Sequence, residues 1–333
     1  MITKIYEFCK RKIKENYKYL LSFIVLVLVF TIELPVAIYI PGGMIDLSKR
    51  VEVDNGYKTD GELAMSYVSM LRSSLPYVLL SYVIPNWDLE KKEDVVYEGS
   101  SVSETIEIDK LYMQEGINNA IISAYNLAGK TVTVKNEKLK VIYVMEESKS
   151  KLKINDEIIA VDDNTVKSTK DISEIVKNKN VGDTVNVKII RNNKEKVIKS
   201  TVSLIDNEKK LGVASINLQQ LKTNPEVKIK TKDSESGSSG GLMTSLAIYN
   251  SLTKNDITKG KIIAGTGTID ASGDVGEIGG VKYKILGSKK ADIFLCPKEN
   301  YEEAMKVKKE NKLNMKIVSV ESLKDAVNYL EGL

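Results

Sequence analysis

"SESGSSGGLMTSL", residues 234–246, stands where a glycine- and serine-rich string passes into an apolar, helix-like run. Short Gly/Ser strings are typical of flexible linkers. The flanking residues favour another interpretation, since a strand "VKIK" precedes the string and apolar residues at helical spacing follow it. A serine between a strand and a helix N-terminus is placed to react, because the helix dipole and the free N–H groups of the first turn can stabilise an oxyanion.

Histidine is absent from all 333 residues of the sequence. This absence excludes Ser-His-Asp and Cys-His catalysis, and it excludes a histidine ligand for a metal. The two cysteines, Cys9 and Cys296, are too few for a disulfide framework or a cysteine zinc site. We therefore predict no metal and no cofactor, and any nucleophile in this chain needs a base other than histidine.

The composition is that of folded material, with 42% hydrophobic and 28% charged residues and a length that allows about two domains plus attachments. The net charge is +4, and lysines and acidic residues are mixed along the chain, so nucleic-acid binding is not indicated and we predict no nucleic-acid partner. The "AGKT" at 128–131 resembles half of a phosphate loop. The first glycine of the GxxxxGK(S/T) pattern would fall at Ala124, inside a helix, so we predict no nucleotide.

The first forty residues predict a membrane anchor. Residues 19–32, "YLLSFIVLVLVFTI", carry no charge, and with "ELPVAIYI" the apolar stretch reaches Ile40. A helix over residues 17–40 is long enough to cross a hydrocarbon core of about 30 Å. A cleaved signal peptide is the alternative, but no small-x-small cleavage site follows the apolar core, so we favour a retained signal anchor.

Positive charge before this segment sets the predicted topology. By the positive-inside rule, residues 1–16 form a cytoplasmic basic tail and the chain after Ile40 lies outside the cytoplasm. We therefore expect a single-pass protein of the cell membrane that contacts lipid through residues 17–40 and has an extracytoplasmic catalytic domain. The cations before the segment are Lys4, Lys10, Arg11, Lys12, Lys14 and Lys18.

Residues 131–204 form a separate, β-rich unit in this interpretation. It contains a strand "KVIYVM", a helix with a capping box from Ser168 to Asp171, and a hairpin that turns at Asn192 and Asn193. This order, and above all "LKINDEIIAVDDNTVKSTKDISEIV", resembles a PDZ domain of the bacterial protease-associated type. A small structural β domain is the alternative.

PDZ domains take a peptide as an added strand between their second strand and their late helix. The resemblance therefore implies a peptide groove beside "VIYVM" and the helix, although no glycine-rich turn for a peptide carboxylate is evident. The implied groove residues are Val141, Ile142, Tyr143, Val144, Ile172 and Val176.

Three runs of the C-terminal third carry a second resemblance. They are "GSSGGLMTSLAIYNSL", "IAGTGTIDASGDVGEIGGVKYKI" and "ADIFLCPKEN", and they resemble the catalytic region of Lon-type serine proteases. The match is closer to the membrane-anchored, PDZ-containing bacterial Lon-like proteases, which have no ATPase module. The resemblance implies Ser239 as the nucleophile, Lys284 as the general base and Thr266 beside this dyad.

The helical run "MQEGINNAIISA" resembles the helix before the catalytic loop of that family. Residues 41–130 are therefore expected to be an extracytoplasmic N-terminal part of the protease domain. On this hypothesis the PDZ-like unit interrupts the protease domain, which continues over residues 205–333.

A Ser-Lys dyad agrees with the missing histidine, but its lysine must be neutral to act as a base. Burial must therefore lower the lysine pKa from about 10.4 toward 7 to 8. Lys284 has apolar neighbours on a short helix, and backbone N–H groups near Ser239 and Gly240 would form the oxyanion hole. The usual loop of the family reads GPSAG, so Ser238 replaces its proline and Gly240 its alanine, and Ser238 is a second candidate nucleophile.

We therefore predict an α+β protein with one N-terminal transmembrane helix, a PDZ-like β-rich domain and a Lon-type proteolytic α/β domain. The predicted function is ATP-independent cleavage of exposed or unstructured peptide segments by a serine endopeptidase. The alternative is a catalytically weak or inactive anchored PDZ scaffold that binds peptides or partner proteins. "SLTK" at 251–254 matches the SxxK of penicillin-binding enzymes, but the S-D-N and K-T-G elements are missing.

Overall fold

The computed structural model describes residues 2–145 and 148–333. The chain divides into two compact units, one with residues up to Pro41 and Val68–Val95, the other with Gly42–Tyr67 and Val96–Leu333. Up to residue 127 the elements are α1 (Ile2–Thr31), β1 (Val36–Asp46), β2 (Val51–Val53), β3 (Glu62–Leu71), α2 (Leu75–Ser81), β4 (Asp88–Lys91) and α3 (Val102–Leu127).

The middle of the chain is mostly strand, and the last third alternates strands with helices. The middle elements are β5 (Thr131–Val144), β6 (Glu157–Val161), β7 (Asn164–Thr165), α4 (Thr169–Lys177), β8 (Thr184–Arg191), β9 (Lys194–Thr201), β10 (Ser203–Ile205) and β11 (Glu208–Lys210). The last third has β12 (Val213–Asn224), β13 (Val227–Ile229), α5 (Gly241–Leu252), β14 (Ile262–Gly265), β15 (Thr268–Ile269), β16 (Val275–Gly276), α6 (Val281–Gly287), β17 (Ile293–Pro297), α7 (Tyr301–Glu310), β18 (Lys316–Val320) and α8 (Leu323–Glu331).

In the first unit the prediction of one helix over residues 17–40 is wrong beyond Thr31, where α1 ends. Pro35 disfavours the helical conformation of the residue before it, and β-branched residues alternate after it. The chain is extended from Val36 and pairs antiparallel with β4, from Val36↔Lys91 to Tyr39↔Asp88. Among the residues described, no helix has the length and apolarity needed to cross a membrane, so the predicted transmembrane helix has no support in the structure.

The second unit contains a sheet in which β3, β14, β17 and β18 are parallel neighbours. Successive residues of its strands point to opposite faces. Ile263, Ile293 and Leu295 pack in one core cluster with α5, whereas Ala264, Phe294 and Cys296 pack in another with residues of α6 and α7. α5 is hydrophobic nearly all round because it lies in the interior, where ten of its twelve residues are buried.

A second sheet of this unit has the strand order β12-β5-β6-β8-β9, with β7 beside β6. Its apolar side chains pack with α4 around Val141, Ile158, Ile172 and Val187, all at most 5% exposed. β5 and β12 pair along their whole length, from Val213↔Val144 to Asn224↔Thr131. This long ribbon therefore connects the PDZ-like sheet with the region that holds α3 and α5.

Because β12 pairs with β5, the sheet edge that is available for an added strand belongs to β12. The resemblance implied a groove beside Val141–Val144 of β5, but these residues pair with Val213–Ser215 of β12. Within the described ranges β12 has β5 as its one strand partner, so β12 is the edge strand. A hydrogen bond of 2.8 Å between the hydroxyls of Thr169 and Ser215 brings β12 next to α4. β12 is therefore the edge strand beside the first residue of α4, whereas Val141 of β5 packs beneath the helix in the core.

Candidate active site

The serine-rich loop is held between α3 and the first turn of α5. The N–H of Gly237 donates to the carbonyl oxygen of Asp109 on α3, at 2.9 Å. Gly116 lies on the same face of α3, about two turns after Asp109. It is so close to the loop that a Cβ there would be 3.3 Å from the Cβ of Ser238. Glycine at this position therefore allows the loop to lie against α3, with Ser239 half-buried two residues before α5 begins.

Lys284 lies on α6 and is 3% exposed. Its Nζ donates a hydrogen bond of 3.1 Å to Oγ1 of Thr266. Burial lowers the pKa of the Lys284 amine from 10.5 to about 8, since the charged form is poorly solvated there. A buried amine with this pKa is partly neutral near physiological pH and can accept a proton.

Thr266 joins the lysine to the serine loop. It is fully buried in the break between β14 and β15, and its hydroxyl donates to the carbonyl oxygen of Ser239 at 3.0 Å. The N–H of Gly267 donates to the same oxygen at 2.9 Å. These two bonds fix the orientation of the Ser239 peptide group relative to the Lys284 amine.

Ser239 and Lys284 line the same cavity of about 220 Å³. No hydrogen bond joins Ser239 Oγ to Lys284 Nζ, but such bonds often form only when substrate is present. In the part of the chain that is described, the backbone N–H groups of Ser239 and Gly240 have no protein acceptor. The site thus combines a hydroxyl and a buried amine that line one cavity with two free amide donors in the serine loop, which are the groups that acyl transfer requires.

Three further side chains in this cavity were not anticipated from the sequence. Asp109 and Tyr112 come from α3, and Tyr97 precedes that helix. The spacing of Asp109, Tyr112 and Gly116 places them on one helix face. Helical spacing could have identified this face, but nothing local indicates that it meets the serine loop.

The other predicted residues fall into two places. Ser238 and Gly240 flank Ser239, and Ser238 also lines the cavity. Ile172 and Val176 of α4 are 5% and 0% exposed and belong to the hydrophobic core of the PDZ-like sheet. Among the described residues, no group of three His, Cys, Asp or Glu side chains is arranged to hold a metal ion.

Comparisons with known proteins match two separate parts of the chain. Residues 224–330 match the family model of the Lon protease (S16) C-terminal proteolytic domain, and residues 127–202 match that of the PDZ domain. The chain is 36% identical over 96 residues to the Lon protease of Campylobacter jejuni, a match that covers 28% of this chain and 12% of that protein. It is 27% identical over 139 residues to "Lon protease homolog 2, peroxisomal" of Caenorhabditis elegans, covering 41% of this chain and 17% of the relative.

Among solved structures, the PDZ domain of the SdrC-like protein Lin2157 from Listeria innocua is 26% identical, with 23% of this chain and 92% of that domain covered and a TM-score of 0.22. The protein thus has a mixed α/β fold with a PDZ-like domain and a Lon-type proteolytic domain. The Lon matches support its assignment as a serine peptidase.

Proposed function

We propose that this protein is a serine endopeptidase in which Ser239 is the nucleophile and Lys284 the general base. One observation carries the proposal: a lysine that is 3% exposed, with a pKa lowered to about 8, lines the same cavity as a serine at a helix start. The match of residues 224–330 to a Lon proteolytic domain supports the same chemistry.

In the proposed reaction the neutral Lys284 amine takes the proton of the Ser239 hydroxyl as its oxygen attacks the scissile carbonyl carbon. The N–H groups of Ser239 and Gly240 stabilise the oxyanion that forms. Lys284 then gives the proton to the leaving amine, and an acyl-enzyme remains. A water molecule hydrolyses the ester by the same sequence of proton transfers. Thr266 acts as a positioning residue through its bonds to the lysine amine and the Ser239 carbonyl.

The proposal also covers the energy requirement of cleavage and the folding state of the substrate. Cleavage is ATP-independent, since the sequence contains no complete phosphate-loop motif. The peptidase therefore cuts segments that are already exposed or unstructured. Addition of ATP and Mg²⁺ to the full chain is expected to leave the rate of cleavage of an unstructured peptide unchanged, and a stimulated rate would contradict this part of the proposal.

The nucleophile is tested with the full chain, a set of unstructured fluorogenic peptides and a serine-directed fluorophosphonate probe. Ser239→Ala should abolish both cleavage and labelling, whereas the neighbouring Ser238→Ala is the matched control and should retain both. If Ser238→Ala abolishes cleavage and Ser239→Ala does not, the nucleophile is Ser238. A folded chain that neither cleaves nor reacts would support the peptide-binding scaffold instead.

The PDZ-like sheet supplies a proposed peptide site along the free edge of β12, beside α4. The edge position of β12 and the contact between Thr169 and Ser215 support this site. A labelled pool of unstructured decapeptides should bind the full chain, and Thr169→Arg should weaken binding by placing a long side chain between helix and strand. Thr184→Arg, at an exposed position of β8, is the control. Equal binding by both variants would contradict the site.

We also propose that α1 attaches the chain to a membrane, with residues 1–16 in the cytoplasm and the catalytic domain outside it. Thirteen of the fourteen uncharged residues 19–32 are exposed, among them Phe23, Leu26 and Phe30. An apolar surface of this extent, preceded by lysines and an arginine, is typical of a lipid contact. The chain should sediment with membranes after an alkaline wash and be digested by protease added outside intact cells. Recovery in the soluble fraction would contradict the proposal.

A further inference from the structure

One wall of the catalytic cavity takes no part in the proposed proton transfers. It is formed by Tyr97 and by Asp109 and Tyr112 of α3, and Glu277 lines the same cavity. The Tyr97 hydroxyl donates to Oδ1 of Asp109 at 2.9 Å. The rings of Tyr97 and Tyr112 meet edge to face, with centroids 6.4 Å apart. The wall therefore presents two aromatic rings and a carboxylate that is held in place by the hydroxyl of one of them.

Two carboxylates line this cavity, those of Asp109 and Glu277. Neither Asp109 nor Glu277 forms an ion pair with any residue in the described ranges. Asp109 is half-buried, and burial raises the pKa of its carboxyl although the bond from Tyr97 opposes that change. Burying a carboxylate without a positive partner is unfavourable, so a cation that enters the cavity would remove this penalty.

Among the residues that the structure describes, the only cationic side chain lining the cavity is that of Lys284, whose amine already donates to Thr266. Aromatic faces attract cations, and a carboxylate beside them adds a direct ionic partner. A lysine or arginine side chain fits this combination better than an apolar or acidic one. The cavity also contains Ser239, so a side chain that occupies it belongs to a residue adjacent to the bond under attack.

We propose that Tyr97, Asp109 and Tyr112 form the specificity subsite of the peptidase and bind a lysine or arginine side chain of the substrate next to the scissile bond. This inference rests on the proposed function of Ser239 and Lys284. It adds a substrate class to that function, namely peptides with a basic residue beside the cleavage site. Asp109 is the ionic partner of that residue, and Tyr97 orients the Asp109 carboxylate.

The test uses the full chain and unstructured peptides that differ at one position, with lysine, arginine, norleucine or glutamate there. The peptides with lysine and arginine should be cut with a kcat/KM about tenfold above that with norleucine. Asp109→Asn keeps an acceptor for the Tyr97 hydroxyl but removes the charge, so it should bring the ratio of lysine to norleucine close to one. Glu303→Gln, on the exposed side of α7, is the matched control and should preserve the ratio.

Equal cleavage of the lysine and norleucine peptides by the native chain would overturn the inference, and so would an unchanged ratio in Asp109→Asn. A binding measurement separates this inference from the proposed function. In the Ser239→Ala background, the labelled lysine peptide should bind more tightly than the norleucine peptide, and Asp109→Asn should abolish the difference. If no peptide is cleaved, the proposed function fails. The ratio of the affinities for the lysine and norleucine peptides then tests the subsite independently of cleavage.

Discussion

Lys284 in the catalytic cavity and Asp156 in the PDZ-like sheet are both ionisable residues with almost no exposed surface, 3% and 1%. Asp156 accepts two hydrogen bonds of 2.6 Å, from Nε and Nη2 of Arg191, and a third of 2.7 Å from the N–H of Lys153. Within the described ranges, the Lys284 amine has only the uncharged Thr266 hydroxyl as a hydrogen-bond partner. The buried Asp156 carboxylate is therefore paired with a cation, whereas the buried Lys284 amine has no anion beside it and loses its proton more readily.

The difference separates a structural use of burial from a chemical one. A buried ion pair with complete hydrogen bonding is costly to break, because removing one partner leaves the other charged and poorly solvated. A buried amine without an anion has a lowered pKa, which costs stability but creates a base. The two regions can therefore be told apart by what each loses when its buried group is replaced.

The largest effect is expected for Lys284→Met. Methionine has similar volume and no proton acceptor of use, so kcat should fall by at least about 10³-fold. The free energy of unfolding should stay the same or rise, because a poorly solvated amine is removed. Urea denaturation and peptide cleavage measure the two quantities. Lys290→Met, at an exposed position after α6, is the control and should cleave normally.

The pH dependence of cleavage should follow the Lys284 amine, whose pKa is about 8. Below this pH the protonated amine cannot accept the serine proton, so kcat/KM should rise about tenfold per pH unit from pH 6 and level off above pH 8. The folded pKa is lower than the ordinary 10.5, so between these values the unfolded state binds more protons. The free energy of unfolding should therefore rise with pH across that window. A flat rate profile from pH 5 to 9 would argue against a lysine base.

Asp156→Asn should have the opposite signature to Lys284→Met. It leaves the Arg191 guanidinium without its anion, and we expect a loss of about 3 kcal/mol in the free energy of unfolding. Cleavage of short unstructured peptides below the unfolding transition should remain. Asp163→Asn, at an exposed turn of the same sheet, is the control and should unfold like the native chain. If Asp156→Asn lost cleavage without losing stability, the assignment of a purely structural role to Asp156 would be wrong.

Thr266→Val keeps the shape of the side chain but removes both bonds of the hydroxyl. We expect kcat to fall about tenfold, because the lysine amine and the Ser239 carbonyl lose their common partner. The pKa seen in the rate profile should fall too, since an acceptor for the charged amine has been removed. Thr266→Ser should restore both properties. A rate defect that serine does not rescue would indicate that the methyl group matters instead.

The smallest effect is expected for Gly240→Ala, which restores the alanine of the related loop. A Cβ at Gly240 would lie 2.8 Å from Sδ of Met65, the end of a flexible side chain that can move. The backbone there has φ −88°, which alanine adopts without strain. We expect a change below about 1 kcal/mol in the free energy of unfolding and little change in kcat. A large loss of activity would show that the loop requires glycine.

Local patterns in the sequence were enough for some elements and not for others. Helical spacing and the apolar residues around Lys284 predicted the helix α6, and the Gly/Ser string before "LMTSL" predicted the start of α5. The same approach carried the N-terminal helix too far, because apolar runs favour helices and strands alike. The sequence offers no local signal for the pairing of β12 with β5, since this pairing joins residues about eighty positions apart.

The sequence by itself determined the residue types that can react. Without histidine, a serine at a helix start requires a base such as lysine, and periodicity is sufficient to place both residues on their elements. Only the tertiary structure decided that Lys284 is buried, that Thr266 connects it to Ser239, and that Asp109 and Tyr97 stand in the same cavity. Periodicity is a local property of the chain, whereas desolvation and electrostatic partners depend on residues that packing brings together from distant positions.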